Sequence, residues 1–188
     1  MNKQSHVIST LVLAIGAASL AVAGGQRAAH AADKDELIKS ALSAAPPFVA
    51  MNAKVMTMKG EALREGSGAY TCLPYEGPGM PPMCLDSEWL RWAESYSAKK
   101  PFKAEKFGLA YMLAGDPKDS GASNIDPFAT AATADNQWVI EGPHVMILAP
   151  DEKMLAAITT DPNAGGPYVM WAGTPYAHIM MPVGPRPK

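Results

Sequence analysis

The sequence predicts an α+β domain on a mainly antiparallel sheet, loop-rich, with two or three short helices and one disulfide. Three observations carry this. Several short segments alternate apolar and polar residues with period two, the signature of half-buried strands. Glycine and proline, 16 and 17 of 188 residues, recur between those segments as turn signals. Two longer stretches, near residues 33–43 and 87–99, instead show helix start and stop signals.

The first 31 residues read as a secretory signal. Lys3 supplies a positive start, Val7 to Ala23 is apolar and uncharged, and Ala29-His30-Ala31 offers small residues to a signal peptidase. Cleavage between Ala31 and Ala32 is expected, leaving 32–188 as a single globular domain in the periplasm or secreted. An uncleaved anchor is the other reading, but the apolar run is at the short end of the roughly 17–25 residues a spanning helix needs. Later segments are not apolar enough to span, so no stable membrane insertion is expected after processing.

Asp33 to Ser43 suits a helix, with acidic residues at its start and Pro46-Pro47 stopping it. Ala53 to Met58, Ala62 to Arg64 and Ala69 to Leu73 read as strands, with Lys59-Gly60 and Gly66-Ser67-Gly68 as turns. Cys72 and Cys84 flank a segment containing Pro74, Pro78, Pro81 and Pro82 that cannot form a helix or a regular ladder. In an exported chain these cysteines are expected to pair. Met80 and Met83 lie in that loop as candidate exposed thioethers.

Ser87 to Lys99 reads as the clearest helix. Asp86 suits its N-cap, and Trp89, Trp92, Ala93 and Tyr96 fall on one face. Such a stripe is read as core. Phe107 to Leu113 is an unbroken apolar run, expected as a central strand buried on both faces. Asp116 to Ala134 reads as a long polar loop. Gln137 to Glu141 and His144 to Ala149 read as strands, or as one strand bent at Gly142-Pro143. Asp151 to Ile158 suits a short helix, and Tyr168 to Trp171 and Ala177 to Val183 suit closing strands.

Charge excludes some partners. The chain has 16 basic and 18 acidic residues, interspersed without runs. Removing the signal takes Lys3 and Arg27 and no acidic residue, so the remainder is more acidic still. Nothing here suits nucleic acid or an anionic membrane surface.

The sharpest chemical feature is a pair of couples. His144 and Met146, and His178 and Met180, sit two apart in strand-like runs, so each imidazole shares a strand face with a thioether. If those strands are neighbours, nitrogen and sulfur donors would gather in a soft site suited to copper, particularly Cu(I). Methionine is also the most adaptable core filler, so packing with a hydrogen-bonded imidazole is the commoner use of such residues. The chain holds 12 methionines, which fits either reading. Oxygen donors cluster at Asp116, Asp119, Asn124 and Asp126, where calcium is a lesser candidate. The spacing departs from a calcium-loop pattern and Lys118 competes.

No nucleophile-elbow, zinc-protease or covalent-haem motif is present in the sequence. A hydrolase using His144 or His178 as general base is the alternative activity. A non-catalytic interaction module, using the cysteine loop and the Pro-rich tail, is another. The strings Pro82-Met83-Cys84-Leu85-Asp86, Gly142-Pro143-His144-Val145-Met146 and Tyr168-Val169-Met170-Trp171-Ala172-Gly173-Thr174-Pro175-Tyr176-Ala177-His178 resemble those of a family of uncharacterised exported bacterial proteins. That family has no established activity, so the resemblance implies an exported single domain and transfers no site.

Overall fold

The computed structural model describes residues 33–188. The expected signal segment and the Ala31–Ala32 cleavage point lie outside the described residues. Residues 33–42 are helical (α1). The expected stop at Pro46-Pro47 is also a start, since Pro47 opens a one-turn helix α2 (Pro47–Ala50). Proline's fixed φ suits a first helical position, where its missing N–H costs nothing. Helix α3 (Ser87–Ser97) forms as anticipated. Asp86 Oδ1 caps it by accepting from the Glu88 and Trp89 N–H groups, both at 2.9 Å. Its other oxygen accepts from Leu109 N–H at 2.7 Å, so one carboxylate both starts the helix and fastens it to a strand.

The main sheet has eight strands: β1 (Lys54–Met56), β2 (Ala62–Arg64), β3 (Thr71–Leu73), β4 (Met83–Leu85), β5 (Gly108–Met112), β8 (His144–Leu148), β9 (Tyr168–Met170) and β10 (His178–Pro182). Their spatial order is β2-β1-β3-β4-β5-β8-β10-β9. Every pairing is antiparallel except β1 with β3. A separate two-stranded ribbon joins β6 (Ala122–Ser123) to β7 (Trp138–Val139). The α+β expectation therefore holds, with a mainly antiparallel sheet and a Cys72–Cys84 disulfide.

Period two divides the sheet into two apolar layers. Val55, Cys72 and Cys84 pack with Ala41, Ala44 and Ala45 from α1 and the turn after it. Leu73, Leu85, Ala110, Met146, Leu148, Tyr168 and Met180 pack with Trp89 and Trp92 of α3 on the opposite side. Gly108 permits the second contact. A Cβ there would meet Leu148, Glu88 and Trp89 atoms at 3.0–3.1 Å, so the helix sits directly on the strand. The disulfide belongs to the α1 layer. Its cysteines face each other across β3 and β4, while Leu73 and Leu85 beside them turn toward α3.

Some elements differ from expectation. β5 is central, but Leu109 and Tyr111 are only half-buried, because no helix covers their side as closely as α3 covers Gly108, Ala110 and Met112. The Gln137–Glu141 strand shrinks to β7 and leaves the main sheet, since Gly142-Pro143 breaks it from β8. Asp151–Ile158 yields only one 3₁₀ turn, Glu152–Met154. Met83 is a strand residue rather than a loop thioether, whereas Met80 is exposed. Among the described residues no helix is long and apolar enough to cross a membrane.

Candidate functional site

Between α3, the α3-facing side of the sheet and the loop following β5 lies a cavity of about 420 Å³. Strand register builds its floor. Met146 on β8 pairs directly with Met180 on β10. On β8, His144 lies two residues from Met146 and opposite Met112 of β5. On β10, His178 lies two residues from Met180 and opposite Met170 of β9. The four donors read from the sequence therefore share one sheet face on neighbouring strands, and all line one cavity. The register also separates the two rings. With Met146 opposite Met180, His144 and His178 attach at opposite ends, four residues apart, or about 13 Å of strand. The arrangement approximates a two-fold, with the facing methionines at its centre and a His-Met pair at each end.

Both imidazoles are buried, and both are oriented in the same way. His144 Nδ1 lies 2.7 Å from the Gly142 carbonyl, and His178 Nδ1 lies 3.0 Å from the Tyr176 carbonyl. A nitrogen facing a carbonyl carries the proton, which leaves Nε2 as a lone-pair donor in the neutral ring. Backbone orientation of this kind is what tunes many metal-binding histidines. The two rings differ in surroundings. His178 is boxed edge-to-face by Trp89, Trp92 and Trp171 at 5.1–5.8 Å between centroids. Desolvation holds its pKa down at about 4, so it is neutral at pH 7.

His144 instead neighbours an acidic cluster. Asp116 Oδ2 accepts from the Glu141 N–H at 2.7 Å. Burial pushes the Asp116 carboxyl above its ordinary range. The Glu141 side chain is 2% exposed and paired with Arg186 through Nε–Oε1 at 2.9 Å and Nη2–Oε2 at 3.0 Å. Tyr168 O–H donates to the same carboxylate at 2.9 Å. Arg186 reaches in from the C-terminal tail, which runs against Gly142; a Cβ there would collide with the Pro185 carbonyl.

The aromatic wall is more than the expected core stripe. Trp92, Tyr96 and Trp171 lie nearly parallel, with centroids 5.0–5.7 Å apart. Trp171 holds φ 57, a costly conformation for a bulky residue. Its N–H donates to Asn124 O at 2.8 Å and its indole N–H to Ser123 O at 2.6 Å, which fastens the loop after β5 over the cavity. The indole N–H groups of Trp89 and Trp92 are buried with no hydrogen-bond partner among the described residues. The disulfide loop supplies part of the mouth, where Gly79 N–H donates to Ser120 Oγ at 3.2 Å.

The other proposed chemistries find different surroundings. In the Asp116–Asp126 loop, Asp119 accepts from Tyr75 O–H and Asp126 from Phe128 N–H. Asp126 thus organises a local turn and Asp119 ties this loop to Tyr75 of the disulfide loop, and among the described residues no group of three or more His, Cys, Asp or Glu is placed to hold a metal. Ser120 lines the cavity, but among the described residues no serine or carboxylate hydrogen-bonds to either imidazole. Sequence reasoning missed Glu141 and Arg186 as site residues and singled out Asp116 only as an oxygen donor for calcium. The only local signal of Glu141 and Arg186 was a lone charge in an apolar context. Comparison with family models, with curated proteins and with solved structures gives no match, so the site is read from its own geometry.

Proposed function

We propose that this chain is an exported binding domain that takes a small, largely apolar ligand into the cavity beneath α3. The observation that carries the reading is the cavity itself, within the roughly 300–1,000 Å³ range of small-molecule sites. Its wall is mostly apolar, with Trp89, Trp92, Tyr96 and Trp171 and several methionines among its residues. A few polar groups converge on it, among them His144 and Asp116. Strain at Trp171 supports the same reading, because held-open conformations of bulky residues gather at binding sites. The unpartnered Trp89 and Trp92 donors add a second departure from a purely structural core. Binding rather than hydrolysis is favoured because each imidazole is oriented by a carbonyl, not by a carboxylate.

The test uses N-phenyl-1-naphthylamine, a neutral apolar fluorophore, with tryptophan emission as the energy donor. One probe per chain should bind saturably. Ala93→Trp, which fills the cavity from α3, should weaken binding at least about tenfold, or 1.4 kcal/mol. Absent binding, or binding unchanged in a folded Ala93→Trp protein, would overturn the reading.

A further inference from the structure

We infer that one end of this cavity is a soft monovalent-metal site, with the His144 imidazole and the Met112, Met146 and Met180 thioethers as its donors. The inference rests on the reading of this cavity as a binding site and adds a second occupant at one end of it, Cu(I), with Ag(I) as a redox-inert equivalent.

Register is the starting point. Met112 is directly opposite His144 on β5, Met146 is its same-face neighbour on β8, and Met180 is opposite Met146 on β10. Directly opposed residues bring their Cβ atoms within about 4.5–5.5 Å, and diagonal neighbours within about 7–8 Å. Methionine's three rotatable bonds span such gaps. All four residues line the cavity, and His144, Met112, Met146 and Met180 are each at most 8% exposed. Donors and cavity therefore coincide without rearranging any strand.

Ligand chemistry selects the ion. One imidazole and three thioethers form a soft, uncharged set that suits Cu(I) and leaves hard or divalent ions poorly served. The His144 Nδ1 bond to Gly142 directs its lone pair to Nε2. Charge selects this end of the pseudo-two-fold over the other. Asp116 lies close enough to His144 to interact electrostatically, and Glu141 is already neutralised by Arg186. Among the described residues, no lysine or arginine lines the cavity. A single positive charge here gains a carboxylate counter-ion, which a buried cation needs. The matching set at the other end, His178 with Met170, Met146 and Met180, is enclosed by three tryptophans.

The experiment is an anaerobic competition for Cu(I) between the protein and a chromophoric chelator, repeated with Ag(I). Met112→Leu and Met180→Leu keep apolar volume, so folding should survive. One equivalent of metal is expected per chain. Each leucine variant and His144→Gln should lose at least the roughly 10–100-fold in affinity that even an outer partner is worth to a metal site. A copper K-edge spectrum should show sulfur together with nitrogen neighbours. Unchanged affinity in Met112→Leu and Met180→Leu would overturn the inference. So would a loss confined to Met170→Leu and His178→Gln, which would move the site to the other end. Naphthylamine and Cu(I) binding by the unsubstituted protein separate the two readings. If the probe binds and metal does not, the metal site is wrong and the cavity reading stands; if neither binds, both fall.

Discussion

Replacing Arg186 with methionine tests whether the C-terminal tail is held by charge. Arg186 makes two contacts to the Glu141 carboxylate, at 2.9 and 3.0 Å, and donates to the Pro162 carbonyl at 2.6 Å. Glu141 is 2% exposed, so Arg186→Met strands a buried carboxylate. Breaking a buried pair from one side costs about 3–5 kcal/mol. Two features reduce that here. The Arg186 side chain is 32% exposed, so solvent already screens the pair, and Tyr168 still donates to Glu141. A loss of about 2–4 kcal/mol is expected on that basis. With a urea m-value near 2 kcal/mol/M, the unfolding midpoint should fall by about 1–2 M. Tryptophan fluorescence during urea titration reads this directly. The decisive variant is Glu141→Gln combined with Arg186→Met. It leaves no unpaired charge and keeps an acceptor for Tyr168, so it should recover most of the loss. A midpoint shift below about 0.3 M in Arg186→Met would refute the reasoning. So would a double variant as unstable as the two singles summed.

Two further outcomes follow from buried groups. The folded pKa of His178, about 4, lies below the unfolded value near 6.5. The unfolded chain therefore binds more protons between these values, and the His178 contribution is full above about pH 6.5 and lost as pH falls toward 4. That loss is on the order of 3 kcal/mol. Asp116, whose carboxyl is raised by burial, acts with the opposite sign: its contribution is present at low pH and lost as pH rises through its folded value. The difference in urea midpoints between wild type and His178→Gln isolates the histidine, and a pH-independent difference would refute its assignment. Reduction of Cys72–Cys84 frees the loop that forms part of the cavity mouth. It should cost about 2–4 kcal/mol and weaken naphthylamine binding, measured by titration with and without reductant. Unchanged affinity would mean that the mouth is held by the Gly79–Ser120 and Tyr75–Asp119 contacts alone.

Much of the architecture was legible because its causes are local. Asp86 followed by Trp89, Trp92 and Tyr96 announced α3, its cap and its buried face within a dozen residues. Alternation in 144–148 and 178–182 assigned His144, Met146, His178 and Met180 to one face each. β4 was missed because Met83-Cys84-Leu85 is too short to show a period, and only its pairing with β3 and β5 makes it a strand. The 137–141 segment failed for a similar reason, since a ribbon partner at Ala122–Ser123 captured two of its residues. Glu141 and Arg186 are 45 residues apart, and no local pattern connects them.

By itself the chain determined which side chains share a strand face, where one helix begins, and which two cysteines can meet, because these follow from backbone periodicity and short loops. Only the tertiary structure decided that β8 and β10 are neighbours with Met146 opposite Met180. That pairing places the two imidazoles at opposite ends of one cavity and gives His144, not His178, an acidic companion. Such relations depend on strand order and register across the whole sheet. Long-range packing chooses these among many locally equivalent arrangements.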